Sequence, residues 1–80
     1  MEKSSDAKIE VFFQIGQMDE NRDKLMDFFN NSDEKRYARC LYRYNGIILS
    51  LKADDIPEVL VDLVQLGVKI YSVFEPYKPI

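Results

Sequence analysis

Residues 40–51, with the sequence CLYRYNGIILSL, place an Asn-Gly pair between two segments rich in β-branched and aromatic residues. This arrangement is the strongest short-range signal for a β-hairpin, because both central positions of a type I′ turn need positive φ. We therefore predict adjacent strands over residues 35–45 and 47–53. They would be joined by a type I′ turn centred on Asn45 and Gly46.

The segment before this hairpin predicts a strand followed by a helix. Apolar and polar residues alternate over residues 8–15, which is the period of a strand with one buried face. Gly16 ends that pattern, and Asp19 then offers a side-chain cap for the backbone N–H groups of a helix over residues 19–30.

The segment after the hairpin repeats the same order with a helix and then a strand. Asp54-Asp55 offers a second carboxylate cap, and Pro57 suits the first turn of a helix over residues 56–66. Gly67 is expected in the left-handed conformation just beyond that helix. Residues 69–75 form the last predicted strand, and the following prolines stop regular pairing.

The predicted order is β-α-β-β-α-β, and the predicted class is α+β. The simplest closure is a ferredoxin-like split sandwich with a four-stranded antiparallel sheet and both helices on one face. We expect a flexible N-terminus over residues 1–7, one domain over residues 8–77 and a tail over residues 78–80. The expected core comprises Ile9, Val11, Phe13, Leu25, Phe28, Phe29, Leu49, Leu51, Leu60, Leu63 and Ile70.

The composition of the 80 residues limits the possible functions. The net charge is −3 and histidine is absent, so a general phosphate-binding surface and the commonest general base are both disfavoured. The one cysteine, Cys40, excludes an internal disulfide and a cysteine-rich zinc site. No apolar run is long enough for a membrane span. We therefore expect a soluble cytoplasmic domain without a cofactor.

No group of residues predicts a catalytic or metal site. Cys40 falls on the expected core side of its strand, where a free cysteine is usually a packing residue. Asp54, Asp55 and Glu58 could suggest a site for a hard cation, but their place at a helix start is explained by capping. An acylphosphatase-type enzyme shares the topology and needs a phosphate-binding loop. The turn after the first strand, Gly16-Gln17-Met18-Asp19, is acidic instead.

The sheet face that the helices leave uncovered is the predicted interaction surface. Alternation along the strands places aromatic, apolar and arginine side chains there, a mixture typical of protein interfaces. We predict that this face binds a protein partner or a second copy of the chain, through Phe12, Tyr37, Arg39, Leu41, Arg43 and Tyr71. The interleaved arginines and tyrosines of the second strand leave an RRM-like nucleic-acid binder as the alternative.

Residues 54–77 resemble a known accessory domain. The runs Asp55-Ile56-Pro57-Glu58-Val59-Leu60 and Leu63–Val73 resemble the small domain that follows the ATPase domain in some bacterial ABC transporter ATP-binding subunits. The resemblance implies a non-enzymatic regulatory domain. Walker A, Walker B and signature motifs are absent from the chain, so the resemblance brings no catalytic residue with it. ACT-like ligand-sensing domains share the topology, and a small-ligand sensor is a further alternative.

Overall fold

The computed structural model describes residues 8–31 and 40–76. The elements are β1 (Lys8–Ile15), α1 (Met18–Asn31), β2 (Cys40–Arg43), β3 (Gly46–Lys52), α2 (Ile56–Leu66) and β4 (Ile70–Phe74). A short 3₁₀ turn, Ala53–Asp55, leads into α2. The predicted element order and α+β class are confirmed. The expected N-terminal segment, the tail and the first part of the second strand lie outside the described residues.

The four strands form one open antiparallel sheet with the order β2-β3-β1-β4. The central strands β1 and β3 pair from Lys8 opposite Lys52 to Gln14 opposite Gly46. β2 and β4 are the edge strands. Each helix therefore joins two strands that are separated in the sheet by one other strand.

The core lies between the helices and one face of the sheet. Side chains from alternate positions of β1 and β3 meet residues of both helices there, since alternate strand residues point to the same face. The buried cluster consists of Val11, Phe13, Ile15, Met18, Leu25, Ile47, Leu49, Leu51, Val59, Leu63 and Val68. Five residues expected in the core are only half-buried, namely Ile9, Phe28, Phe29, Leu60 and Ile70.

The predicted hairpin is present, but its turn differs from the expected one. Arg43 pairs with Gly46, so the two turn residues are Tyr44 and Asn45. Among the described residues only Gln17 and Gly67 have positive φ, which means that the expected type I′ turn is not formed. Gly46 is required for a different reason. A Cβ atom there would overlap the carbonyl oxygen of Phe13, because β1 and β3 approach closely at this point.

The helix ends also depart from the expected caps. α1 begins at Met18, one residue before the expected cap, and the Gln17 carbonyl accepts hydrogen bonds from the N–H groups of Glu20 and Asn21. Asp55 precedes α2 without a capping hydrogen bond from its side chain. Gly67 is left-handed with φ 91°, as predicted, and its N–H donates to the Val64 carbonyl over 2.9 Å.

One hydrogen bond ties the two helices together. The Lys24 ammonium group of α1 donates to the Leu66 carbonyl at the end of α2 over 3.1 Å. A cation at this position also interacts favourably with the negative end of the helix dipole. Neither helix in the part of the chain that the structure describes is long and apolar enough to cross a membrane.

Candidate interaction surface

An apolar row crosses all four strands on the sheet face opposite the core. Strand pairing places Leu41 beside Ile48, Ile48 beside Phe12, and Phe12 beside Phe74. Directly opposed residues of antiparallel strands point to the same side of the sheet. None of these four belongs to the core cluster or packs against it, because both helices lie on the other face. We call this side of the sheet the open face.

Phe12 lies at the centre of the row but is not the exposed ring that the alternation suggested. Its exposed fraction is 7%, whereas that of Phe74 is 48%. The two ring centroids are 5.3 Å apart, with the planes inclined by 46°. Phe74 covers Phe12 from the neighbouring strand, so Phe12 forms the floor of the surface and Phe74 is offered to a partner.

A shallow groove of about 340 Å³ lies over this floor. Its lining is almost entirely apolar or aromatic, with one charged side chain, and consists of Phe12, Arg43, Tyr44, Asn45, Ile48, Phe74 and Pro76. Tyr44 is 86% exposed at the hairpin turn and forms the rim. Aromatic residues and arginine are enriched at the centres of protein interfaces, whereas aspartate, glutamate and lysine are depleted there. The lining of the groove matches that composition.

A polar row runs beside the apolar one. Arg43 pairs with Gly46, Gly46 with Gln14, and Gln14 with Ser72. The Ser72 hydroxyl donates to the Gln14 side-chain oxygen over 2.9 Å, so this pair is already hydrogen-bonded within the chain. A partner that buries the pair would thus leave fewer polar groups unsatisfied. Arg43 is exposed at the end of this row, as predicted.

Tyr71 is exposed as expected, but it does not belong to the apolar row. The pairing between β1 and β4 shifts between Gln14 and Ile15, so Tyr71 is an extra residue in a bulge. A Cβ atom built at Gly16 would lie 2.7 Å from Cε2 of Tyr71, so the ring lies against Gly16 at the end of β1. Tyr71 is thus separated from the groove that Phe12 and Phe74 form.

The six predicted surface residues therefore divide into three groups. Phe12, Leu41 and Arg43 come together on the open face, and Tyr71 lies apart from them. Tyr37 and Arg39 lie outside the described residues. Sequence reasoning missed Ile48, Tyr44, Asn45 and Pro76. The signal for Ile48 was the unbroken run Ile47-Ile48-Leu49, since a strand with apolar residues on both faces has an apolar surface on each side.

Cys40 faces the core, as its predicted strand face requires. It pairs with the buried Leu49 and packs against the core cluster while remaining half-buried itself. Burial raises the pKa of the thiol to about 11, and a hydrogen bond with Tyr42 lowers it by a smaller amount. Burial and the same hydrogen bond raise the pKa of Tyr42. The thiolate form is therefore strongly disfavoured at neutral pH.

The carboxylates at the start of α2 do not form a metal site in the described part of the chain. Over residues 8–31 and 40–76, no three cysteine or acidic side chains converge on a point that could hold a metal ion. Asp54 is exposed and Asp55 is half-buried, and both lie in the 3₁₀ turn that precedes the helix.

Comparison with known proteins identifies no relative of this chain. No protein-family model matches the chain, and neither a curated protein nor a solved structure matches it significantly.

Proposed function

We propose that this chain is a non-enzymatic interaction domain that binds a protein through its open face, and that the bound protein is a second copy of the chain. The observation that carries the proposal is the apolar row from Leu41 to Phe74, which spans every strand of the sheet. Its outer residues expose large apolar side chains, with fractions of 38% for Leu41 and 48% for Phe74.

A protein partner fits this face better than a nucleic acid does. Base stacking on the central ring, Phe12, is blocked because Phe74 covers it, and the exposed rings, Phe74 and Tyr44, lie on the edge strand and at the turn. The groove contains one cation, Arg43, and the whole chain has a net charge of −3. Phosphate contacts supply most of the non-specific affinity of nucleic-acid binders, and this surface offers few of them.

A second copy fits the shape of the surface. The row is four strands wide, so its outer strands are about 14 Å apart, and such a broad, shallow face packs well on another sheet. The one groove cation lies at the rim, and the Gln14–Ser72 pair is internally satisfied. Two copies related by a twofold axis would therefore bury apolar residues without burying unpaired charge.

The size of the face sets the expected strength of association. Four short strands provide a few hundred Å² per copy, below the roughly 800 Å² per partner of a standard interface. Interfaces of this size are commonly transient. We therefore propose a reversible dimer with a dissociation constant in the micromolar range or weaker. This value corresponds to a standard free energy of binding of about −8 kcal/mol or less negative.

We further propose that the domain has the ferredoxin-like arrangement and acts in regulation. The strand order β2-β3-β1-β4 and the placement of both helices behind the sheet support that topology. The resemblance of residues 54–77 to a transporter accessory domain supports a regulatory setting. Dimerisation through the open face would then link two copies of an assembly that carries this domain and so raise its number of binding sites.

Sedimentation equilibrium between roughly 0.1 μM and 1 mM protein tests the proposal, because this range extends below and above a micromolar dissociation constant. The parent chain is expected to shift from monomer to dimer with increasing concentration. The double variant Leu41→Ser/Phe74→Ser should remain monomeric, since both changes remove apolar surface from the open face.

The matched control is Val64→Ser on α2. Val64 is 63% exposed, on the opposite side of the domain from the open face, so this variant should dimerise like the parent. A parent chain that stays monomeric at the highest concentration would exclude the second copy as partner. A dimer that survives Leu41→Ser/Phe74→Ser would exclude the open face.

A further inference from the structure

The groove on the open face combines an apolar floor with polar groups at one end. Phe12 lies between Ile48 and Phe74 in the apolar row, whereas Arg43 and Asn45 lie at the hairpin turn. The volume of about 340 Å³ is at the lower end of the range for ligand pockets, roughly 300–1,000 Å³. Such pockets are mostly apolar and contain a few polar groups that orient the ligand, and this groove has the same composition.

Arg43 gives the groove a positive charge. Its neighbours across the strands, Gly46 and Gln14, are uncharged, and Arg43 forms no ion pair within the described part of the chain. Glu10 and Glu75 belong to or follow neighbouring strands but do not line the groove. The guanidinium is exposed, so it can present two N–H groups to one carboxylate, the bidentate geometry that arginine forms with such anions.

We propose that this groove binds a small organic acid, namely a carboxylate with an aromatic or other apolar body. The carboxylate would accept hydrogen bonds from the Arg43 guanidinium and the Asn45 side-chain amide, and the apolar body would lie on Phe12 and Phe74. An organic acid fits better than an inorganic anion, because phosphate or sulfate would leave the apolar lining in contact with water.

The proposed ligand and the proposed dimer use the same face. A bound organic acid would cover the floor that a second copy needs, so the two would exclude each other. This consequence rests on the proposed function, whereas ligand binding itself does not. A ligand that binds only the monomer shifts the equilibrium towards the monomer by mass action. The association of the domain would therefore respond to the concentration of the acid.

Four small compounds test the site, namely phenylacetate, the neutral phenylacetamide, the cationic phenethylamine and acetate. The protein is the full chain carrying Leu41→Ser. Leu41 lies on the open face but does not line the groove, so this change should weaken the dimer and leave the groove intact. Binding is measured by titration of amide chemical shifts, which also locate the bound surface.

Phenylacetate is expected to bind in the millimolar range, as befits about ten non-hydrogen atoms in a shallow groove, with shifts centred on Arg43, Ile48 and Phe74. Phenylacetamide should bind about three- to fivefold more weakly, the range for a charge pair that stays partly exposed, and phenethylamine more weakly still. Acetate should not bind measurably, because it lacks the apolar body. Arg43→Gln should abolish the preference for the acid over the amide, and Arg43→Lys should retain part of it.

Arg22→Gln on α1 is the matched control, with the same change on the helical side of the domain. It should leave the affinity for phenylacetate unchanged. Equal affinity for phenylacetate and phenylacetamide would overturn the site, since Arg43 would then play no part in binding. Shifts centred outside the groove would overturn it as well.

Sedimentation of the parent chain tests the exclusion and separates the two proposals. Phenylacetate at about ten times its dissociation constant should move the dimer towards the monomer, and phenylacetamide at the same concentration should do so less. A dimer that persists with phenylacetate bound would overturn the exclusion. A parent chain that stays monomeric yet binds phenylacetate in the groove would support the ligand site and exclude the dimer.

Discussion

The ring of Phe74 on an edge strand covers the ring of Phe12 on a central strand, with the centroids 5.3 Å apart. Phe12 keeps only 7% of its surface exposed although it points away from the helices. The sheet therefore has apolar packing on both faces, with a compact helical core on one side and a thin aromatic layer on the other. This second layer joins strands β1 and β4 by side-chain contact as well as by backbone pairing.

The two phenylalanines are expected to differ in their effect on stability. Phe12→Ala removes a nearly buried ring from between two strands and should lower the free energy of unfolding by about 3 kcal/mol. Phe74→Ala removes a half-exposed ring and should cost about 1 kcal/mol, because less apolar surface returns to water. Urea unfolding of both variants measures the difference. A loss of only about 1 kcal/mol for Phe12→Ala would mean that Phe74 does not shield Phe12 in solution.

Leu63 and Val64 are adjacent in α2 but occupy opposite environments. Leu63 is fully buried, so Leu63→Ala should destabilise the domain by about 2–4 kcal/mol through lost transfer energy and a cavity. That loss is a large part of the total stability of a small domain. Val64→Ala should change stability by less than about 0.5 kcal/mol, as surface changes usually do. Thermal unfolding of the two variants checks both values, and a Leu63→Ala variant as stable as the parent would contradict the packing of α2.

Gly46 and Gly16 provide a second matched pair. A Cβ atom at Gly46 meets the Phe13 backbone carbonyl, which cannot move without separating β1 from β3. Gly46→Ala should therefore destabilise by about 2 kcal/mol or more, in the range for overpacked sites. A Cβ atom at Gly16 meets the ring of the exposed Tyr71, which can rotate away. Gly16→Ala should thus be tolerated better, and chemical denaturation of both variants would reveal an inverted order.

Most of the fold was predictable because local signals agreed with one another. The alternation in β1, the helical spacing in α2 and the left-handed Gly67 each appear where the sequence placed them. The turn type was not predictable from Asn45-Gly46 alone. Gly46 is already paired in β3, where its close contact with Phe13 requires a residue without a side chain. The two turn residues are therefore Tyr44 and Asn45 instead of Asn45 and Gly46.

The candidate site was predictable only in part, for a related reason. Alternation correctly assigns Phe12, Leu41 and Arg43 to one face, because each strand has a period of two. Alternation contains no information on the register between neighbouring strands, so the covering of Phe12 by Phe74 could not be foreseen. The bulge that moves Tyr71 out of register with β1 is likewise a property of the pairing.

Cys40 is expected to be nearly inert in the folded chain. The pKa of about 11 keeps the thiol protonated at neutral pH, so a maleimide should label native protein far more slowly than denatured protein. Stability should respond to alkali as well. The folded thiol holds its proton more tightly than the unfolded one, so its contribution is complete below pH 9 and is lost as the pH rises towards 11.

The variant Cys40→Ser separates the thiol from other groups in that alkaline range. Serine does not titrate there, so the fall in stability above pH 9 should become shallower, and the raised pKa of Tyr42 would contribute to the slope that remains. Denaturant titrations at several pH values measure the slope. Labelling of native protein at the rate of unfolded protein would place Cys40 outside the core face of β2.

The open face is not expected to bind nucleic acid. A mixed-sequence single-stranded oligonucleotide, titrated at about 0.15 M salt, where the Debye length is about 8 Å, should give no measurable affinity. The reason is that Phe12 is covered, and Arg43 is the one charged residue of the groove. A stacking platform would instead lose its affinity with Phe74→Ser, and a phosphate-binding surface would lose it with Arg43→Gln and with rising salt. Micromolar binding that responds to both substitutions would replace the protein partner with a nucleic acid.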